Sequence, residues 1–271
     1  MKIGLIGAQN SHSRHFCEVF NKDMRHAGHS IAYLYGGDDP GEAAKLCEGY
    51  GVIACGSEDE AIERSDAIAI TYRNGADHHA PAMKALRAGK PLFNDKPFAA
   101  SAREAREIVD YAGGRGLLLT GGSSIKSLPG IAPIAATVGP GSTVVVSFAA
   151  DIDSEYGGYR FYGAHSAETA LALCGEGFLS VSAMRNSGAV ISTVHYADRQ
   201  CIIVTAPQLG DLAVSVTNGR RTERYNVEKS YQSICPDEFA KMLDSGEVPR
   251  GYGFYLRAAE LLDGIVESAG L

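Results

Sequence analysis

No run in this chain of 271 residues approaches the roughly 18 consecutive apolar residues that a membrane span requires, and no membrane partner is expected. The apolar stretch after Met1 and Lys2, Ile3-Gly4-Leu5-Ile6, is broken at once by Gly7-Ala8-Gln9-Asn10. It is too short for the apolar core of a signal peptide, so a cytoplasmic location is the expectation. Basic blocks are missing too. The 25 Lys and Arg residues gather nowhere beyond Arg220-Arg221, and the formal net charge is −7, so the footprint of a nucleic-acid binder is absent and a small-molecule partner is expected. The six cysteines (Cys17, Cys47, Cys55, Cys174, Cys201, Cys235) form no C-x-x-C pair and no zinc-like spacing, which predicts reduced, mostly buried thiols and no metal site.

What is present is ordinary globular composition, 45% apolar and 21% charged, at a length that suits two domains better than one. From Met1 to Thr120 short apolar strands alternate with helices. Met1 to Gly7, Ile31 to Tyr35, Val52 to Ala54, Ala67 to Thr71, Pro91 to Asn94 and Leu117 to Thr120 read as strands. Ser11 and Ser13 can cap a first helix, Gly41 to Tyr50 forms a second, and Ser57-Glu58-Asp59-Glu60 has the capping-box pattern. Pro81 to Ala88 is helical with Gly89 as its stop, and Ser101-Ala102-Arg103-Glu104 caps a helix reaching about Gly113. Such alternation predicts an α/β fold: an N-terminal Rossmann domain, residues 1–121, with a doubly wound parallel sheet.

After Gly121-Gly122-Ser123-Ser124 the texture changes. Thr143 to Ala149, Ala189 to Tyr196, Cys201 to Thr205, Leu212 to Val216 and Thr222 to Val227 are rich in Val, Ile and Thr, with Asn218-Gly219 as a hairpin turn between the last two. A helix from about Ser166 to Leu173 interrupts them, and amphipathic helices near Phe239 to Leu243 and Tyr255 to Ser268 finish the chain. Residues 122–271 therefore read as a C-terminal α+β domain on a largely antiparallel open sheet.

The first turn, Gly7-Ala8-Gln9-Asn10-Ser11-His12, occupies the place of the G-x-G-x-x-G fingerprint that lets a pyrophosphate approach the backbone. Only Gly7 is kept. Gln9 and His12 stand where the other glycines would be and partly obstruct that approach, and an ordinary strand-to-helix turn is the competing interpretation. Past the second strand, Gly36-Gly37-Asp38-Asp39 offers Asp38 as the carboxylate for ribose hydroxyls, or simply as a turn residue before Pro40. Thr71 ends the strand that lines the same crevice. Asp95-Lys96-Pro97 follows a buried strand at its C-terminal end, where open α/β sheets bind ligands. A desolvated lysine there can donate a proton or polarise a carbonyl with a carboxylate holding it; the alternative is a lysine in a surface salt bridge. In the second part, Gly163-Ala164-His165-Ser166-Ala167-Glu168 places an imidazole at the expected start of a helix, where the helix dipole favours the neutral base.

Taken together and in this order, these segments resemble the glucose-fructose oxidoreductase / inositol dehydrogenase (Gfo/Idh/MocA) family. Asp95-Lys96-Pro97 is similar to its E-K-P signature, His15 to the histidine that follows its glycine loop, and His78 through Ala85-Leu86-Arg87-Ala88-Gly89-Lys90 to its H…A-L-x-A-G-K pattern. Phe161 through Glu168 fits the family's D-x-G-x-H-x-x-D at Gly163 and His165, with Glu168 for the final Asp and Phe161 for the first. The resemblance implies a cofactor, NAD or NADP, on the first domain, held by Gly7, Gln9, Asn10, Ser11, His12, Asp38, Thr71, Asp95, Lys96 and Pro97. It also implies a cis bond before Pro97 and a sugar or cyclitol substrate lying between Lys96 and His165. Hydride would move to or from the nicotinamide while His165 exchanges a proton. Asp38, which repels a 2′-phosphate and has no arginine beside it, favours NAD over NADP. Because a phenyl ring cannot transfer a proton, either Tyr162 or Glu168 stands in for the lost aspartate, or catalysis is impaired and the chain is a nucleotide- or small-ligand-binding regulatory protein. Other chemistry on the fold, such as imine reduction, is the remaining alternative. A broad open sheet face also predicts a homo-oligomer, dimer or tetramer.

Overall fold

Strands that are apolar on both sides need cover on both faces, and the first half of the chain provides it. The computed structural model describes residues 1–186, 188–227 and 231–271. Packing divides the chain into two units: Met1–Gly122 with Gln232–Tyr252, and Ser123–Tyr231 with Gly253–Leu271.

In the first unit, β1 (Lys2–Ile6), β2 (Ser30–Tyr35), β3 (Ile53–Ala54), β4 (Ala67–Ile70), β5 (Leu92–Asp95) and β6 (Leu119–Gly122) form a parallel sheet in the order β3-β2-β1-β4-β5-β6. The connecting helices are α1 (Ser11–Cys17), α2 (Pro40–Tyr50), α3 (Glu58–Arg64), α4 (His79–Arg87) and α5 (Ala102–Gly113), with a π-helical turn at Glu18–Lys22 extending α1. Two caps and a stop act as the sequence patterns require: Ser57 Oγ accepts from Glu60 N (3.1 Å), Ser101 Oγ from Glu104 N (3.3 Å), and Gly89 takes positive φ after α4, whereas α1 is capped by Asn10 and not by Ser11 or Ser13. Every residue of β4 and β5 is buried. The doubly wound parallel sheet is as expected, but β6 lies two residues later than Leu117 to Thr120. It absorbs Gly121 because β5 runs so close: a Cβ on Gly121 would sit 1.8 Å from Asn94 O.

The second unit contains α6 (Ile131–Ala135), β7 (Thr143–Ala149), α7 (Tyr159–Cys174), β8 (Ser180–Asn186), β9 (Ala189–His195), β10 (Gln200–Ala206), β11 (Ala213–Asn218), β12 (Arg221–Asn226) and α9 (Gly253–Ala269). Its sheet runs β12-β11-β7-β10-β9-β8, antiparallel except for the β7–β10 pair. β8, poor in β-branched residues, is set by its partners: it pairs along β9, and α9 packs so closely that a Cβ on Gly264 would lie 2.4 Å from Val181 Cγ1. The helix expected from Ser166 begins at Tyr159 instead. Gly163 makes this possible, because its bare Cα packs on the Tyr159 ring, where a Cβ would come within 2.4 Å. His165 consequently lies mid-helix, and the helix-dipole effect expected for it, confined to the first turn, does not apply.

The last strand of the second sheet is followed by α8 (Ile234–Ser245), which the sequence boundary assigns to residues 122–271 and which packs on the first unit. Phe239, fully buried, meets Phe16 and Phe93 at ring-centroid distances of 6.3 and 6.0 Å. Asp237 receives Arg25 (3.1 Å) and His26 (2.7 Å), and Asp244 receives His29 (2.8 Å). A helical period shows that α8 has an apolar face, not which surface covers it. No helix among the described residues is long and apolar enough to cross a membrane, and the six cysteines are free thiols, four of them buried. Phe239→Ala is expected to lower the unfolding free energy by about 3–5 kcal/mol, measured by denaturant titration, because three aromatic rings lose their common contact.

Candidate functional site

Two clusters of chemistry-bearing side chains form, one in each unit. In the first, the sheet order reverses between β1 and β4, so the loops after β1, β4 and β5 border a crevice at the carboxyl edge. Gly7 turns the chain at φ +103°, and a Cβ there would lie 2.7 Å from Tyr72 N, so glycine is required. The Gly7 carbonyl accepts from Ser13 Oγ and Thr71 Oγ1, both at 3.1 Å, and Thr71 is fully buried. Thr71 thus shapes the turn through its hydroxyl. Asp38 reaches the same loop: its carboxylate accepts from Ala8 N (2.9 Å) and Gln9 N (3.0 Å). Two oxygens have capacity for further donors, so a ribose hydroxyl remains compatible with this exposed carboxylate. Gln9 and Ser11 are exposed beside it.

At the end of β5, Asp95 is 0% exposed, a costly place for a carboxylate unless it is paired. Its Oδ2 accepts from His12 Nδ1 (2.7 Å) and from Asn10 Nδ2 (3.0 Å). Oδ1 has no partner of hydrogen-bond geometry. Burial pushes the Asp95 carboxyl up, but His12 and the adjacent Lys96, by charge and backbone, outweigh it and hold the group below its ordinary range. His12, expected as an obstruction at the third glycine position, instead turns its ring onto Asp95 and remains 9% exposed. Asn10 also caps α1, accepting from His12 N at 3.3 Å. Lys96 is buried, and the bond before Pro97 is cis. Two further histidines are held toward the neutral form: His15, chiefly by burial and then by His12, and the fully buried His78, chiefly by burial.

In the second unit, His165 Nδ1 lies 2.6 Å from Ser123 Oγ. Ser123 Oγ also accepts from Ile125 N (3.1 Å), so the hydroxyl is satisfied when it donates to Nδ1, which leaves the imidazole proton on Nε2. Glu168, a candidate replacement for the lost aspartate, is 2% exposed and committed elsewhere. Both its oxygens accept from Ser123 N (3.0 and 2.9 Å), and Oε2 pairs with Lys126 Nζ at 3.2 Å. Lys126, 1% exposed, also donates to Ser123 O at 2.8 Å. The Glu168 and Lys126 pair therefore braces the serine that holds His165. Tyr162 is half-buried, with its ring centroid 6.4 Å from that of His165. Phe161 is buried between Tyr156 and Tyr162, at centroid distances of 5.3 and 4.7 Å. Ser123 and Lys126 were not legible as site residues, because Gly121-Gly122-Ser123-Ser124 reads only as a domain boundary. The His12–Asp95 pairing was equally hidden, its members being far apart in sequence.

A buried carboxylate and lysine at the carboxyl edge of a doubly wound sheet, beside a glycine turn, define a dinucleotide-type Rossmann module. Residues 1–123 match the family profile described as "Oxidoreductase family, NAD-binding Rossmann fold" (GFO_IDH_MocA). Over these residues the chain is similar to the Gfo/Idh/MocA oxidoreductases. Inositol 2-dehydrogenase of Cereibacter sphaeroides (strain ATCC 17029 / ATH 2.4.9) is 33% identical over 119 residues, covering 43% of this chain and 34% of that protein. The chain thus matches about a third of the length of that curated relative. Among solved structures, GenD2 from gentamicin A biosynthesis, in complex with NAD, superposes with a TM-score of 0.83 at 16% identity, covering 100% of this chain and 94% of that one. Biliverdin reductase from Synechocystis sp. PCC 6803, with biliverdin and NADP+, gives 0.75 at 16% identity, covering 100% and 99%. These two likenesses establish the fold.

Glu168→Gln and Lys126→Met, each stranding one member of a buried ion pair, are expected to cost about 3–5 kcal/mol in denaturant unfolding, and the double substitution less than their sum. The stability of the fold should also fall as pH drops below about 6.5. His78 donates Nε2–H to Tyr72 O (2.8 Å), its buried Nδ1 has no partner, and its folded-state pKa is lowered. The unfolded chain then binds the extra proton first, so stability is full above the unfolded pKa and declines below it. His78→Gln is expected to flatten that decline in melting temperature measured against pH.

Proposed function

We propose that the protein is a nicotinamide-dependent oxidoreductase moving a hydride between NAD or NADP and a sugar- or cyclitol-like alcohol or its ketone. The observation that carries this is Asp95-Lys96-Pro97 at the crevice of a unit whose residues 1–123 match an NAD-binding family profile. The loop residues fit a dinucleotide: Gly7 makes the turn, Asp38 has spare acceptor capacity, and the buried Asp95 keeps an unpartnered oxygen. Gly7, Gln9, Asn10, Ser11, His12, Asp38, Asp95, Lys96 and Pro97 would hold it, with Thr71 supporting the turn. The bound cofactor supplies the hydride acceptor or donor. Lys96 orients and polarises the substrate oxygen, while His165, held by Ser123, exchanges its proton through Nε2. Tyr162 is the remaining candidate for the lost aspartate, since Glu168 is occupied by Lys126 and Ser123. Asp38 favours NAD.

A second reading, ligand binding without turnover, is favoured by the same commitment of Glu168 and by the buried Phe161. We further propose a homo-oligomer joined through the second sheet: Met184 and Ile191, paired across β8 and β9, are exposed apolar residues on its edge region. NADH binding followed by turnover against polyols and keto-sugars is expected, with Lys96→Met and His165→Gln each lowering kcat/KM by about 10²–10⁴. Firm binding with no turnover against the whole panel would select the second reading. Sedimentation at micromolar concentration is expected to show more than one copy, and a monomer there refutes the oligomer.

A further inference from the structure

Two of the buried cysteines meet in the second unit. Cys174 is the last residue of α7, and Cys201 lies on β10, a strand that α7 packs against. A separate bond fastens the end of the helix there, from Tyr196 Oη in the β9–β10 turn to Gly175 O (2.8 Å). The Cys201 thiol is hydrogen-bonded to Cys174. That bond, and then burial, push it well above the ordinary thiol range, so Cys201 keeps its proton and donates it to the Cys174 sulfur. Cys174 leaves 7% of its surface open where Cys201 leaves none. The Arg199 guanidinium, held by Asp198 at 2.9 and 3.0 Å, is within electrostatic reach of Cys174. A neighbouring guanidinium and a donated S–H both favour a thiolate. One sulfur is therefore reachable and supported as the anion, and the other waits protonated beside it.

We propose that Cys174 and Cys201 form a redox site: hydrogen peroxide oxidises Cys174, and Cys201 resolves it, leaving a disulfide between α7 and β10. The Cys174 thiolate attacks one peroxide oxygen, the O–O bond breaks, and hydroxide leaves as a sulfenic acid forms on Cys174. That hydroxide and the proton given up by the Cys174 thiol make one water. The Cys201 sulfur then displaces the sulfenic oxygen as a second water, so two thiols and one peroxide give one disulfide and two waters. The bridge ties the end of the helix that carries His165 and Glu168 to the strand beneath it, and closing the chain from Cys174 to Cys201 removes freedom from the unfolded state. Cys201 points to the helix-covered side of the sheet, opposite the side of Met184 and Ile191, so association through that open side leaves the pair uncovered. Neither the chemistry nor its test requires a dinucleotide.

Treatment of the full chain with hydrogen peroxide, followed by alkylation, intact mass and peptide mapping, tests this. The wild type is expected to lose two hydrogens, about 2 Da, in a Cys174–Cys201 link that dithiothreitol reverses. Its melting temperature is expected to rise by about 5 °C or more on oxidation. Cys201→Ser is expected to stop at the sulfenic acid, trapped on Cys174 by dimedone, and Cys174→Ser is expected to leave Cys201 a thiol. A link that maps to another pair such as Cys17 and Cys47, sulfinic acid on Cys174 with no link, or dimedone labelling of Cys201 in Cys174→Ser overturns the assignment. So does a chain that keeps all six thiols under peroxide, or an oxidised form that melts below the reduced one. The mapping and the melting shift need only the wild type, so the assignment can fail whether or not either substituted chain folds.

Discussion

The reversal of strand order between β1 and β4 is the constraint from which the first unit's chemistry follows. Right-handed crossovers carry the chain one way from β1 to β3 and the other way from β4 to β6. The connections leave the carboxyl edge in opposite directions there, and the loops after β1, β4 and β5 are left bordering one opening. Gly7 must turn within van der Waals contact of β4, and Asp95 must end β5 with no access to water. Each remaining residue of the cluster answers one of those demands. Ser13 and Thr71 satisfy the Gly7 carbonyl, while His12, Asn10 and Lys96 compensate the Asp95 charge.

The two clusters solve the same electrostatic problem in different ways. A carboxylate in a dry interior must be paired or protonated. Asp95 is paired with the His12 imidazole and the Asn10 amide through one oxygen, and its other oxygen has no hydrogen-bond partner. Glu168 is paired with a lysine as buried as itself and with a backbone amide, an arrangement that fixes Ser123. Residue identity alone would rank the two acids as equals. Their surroundings separate them, an imidazole and an amide for Asp95, a lysine and a backbone N–H for Glu168.

The departures from the resembled signatures look like isolated losses in sequence, yet they have company in the structure. His12 in place of a glycine comes with Asp95 in place of a glutamate, and the two meet at 2.7 Å. The shorter acid and the added imidazole make a pair that a glycine could not form. Phe161, where the resembled signature has an aspartate, joins an aromatic group with Tyr156 and Tyr162.

Sequence by itself determined the parallel sheet, the Ser57 and Ser101 caps and the Asp95-Lys96-Pro97 crest, because buried strands, capping boxes and glycine stops are local signals with a fixed period. It also marked His165 and the damaged glycine loop. Only the tertiary structure decided that α8 returns to the first unit, that β8 is a strand and that α7 starts at Tyr159. In each case the deciding term is the surface that covers the element: Phe16 and Phe93 for α8, β9 and α9 for β8, and the Tyr159 ring over Gly163 for α7. The same holds for the pairs His12 with Asp95 and Lys126 with Glu168. Partners separated by dozens of residues leave no periodic trace, and hydrogen bonds between them exist only once the fold has brought them within reach.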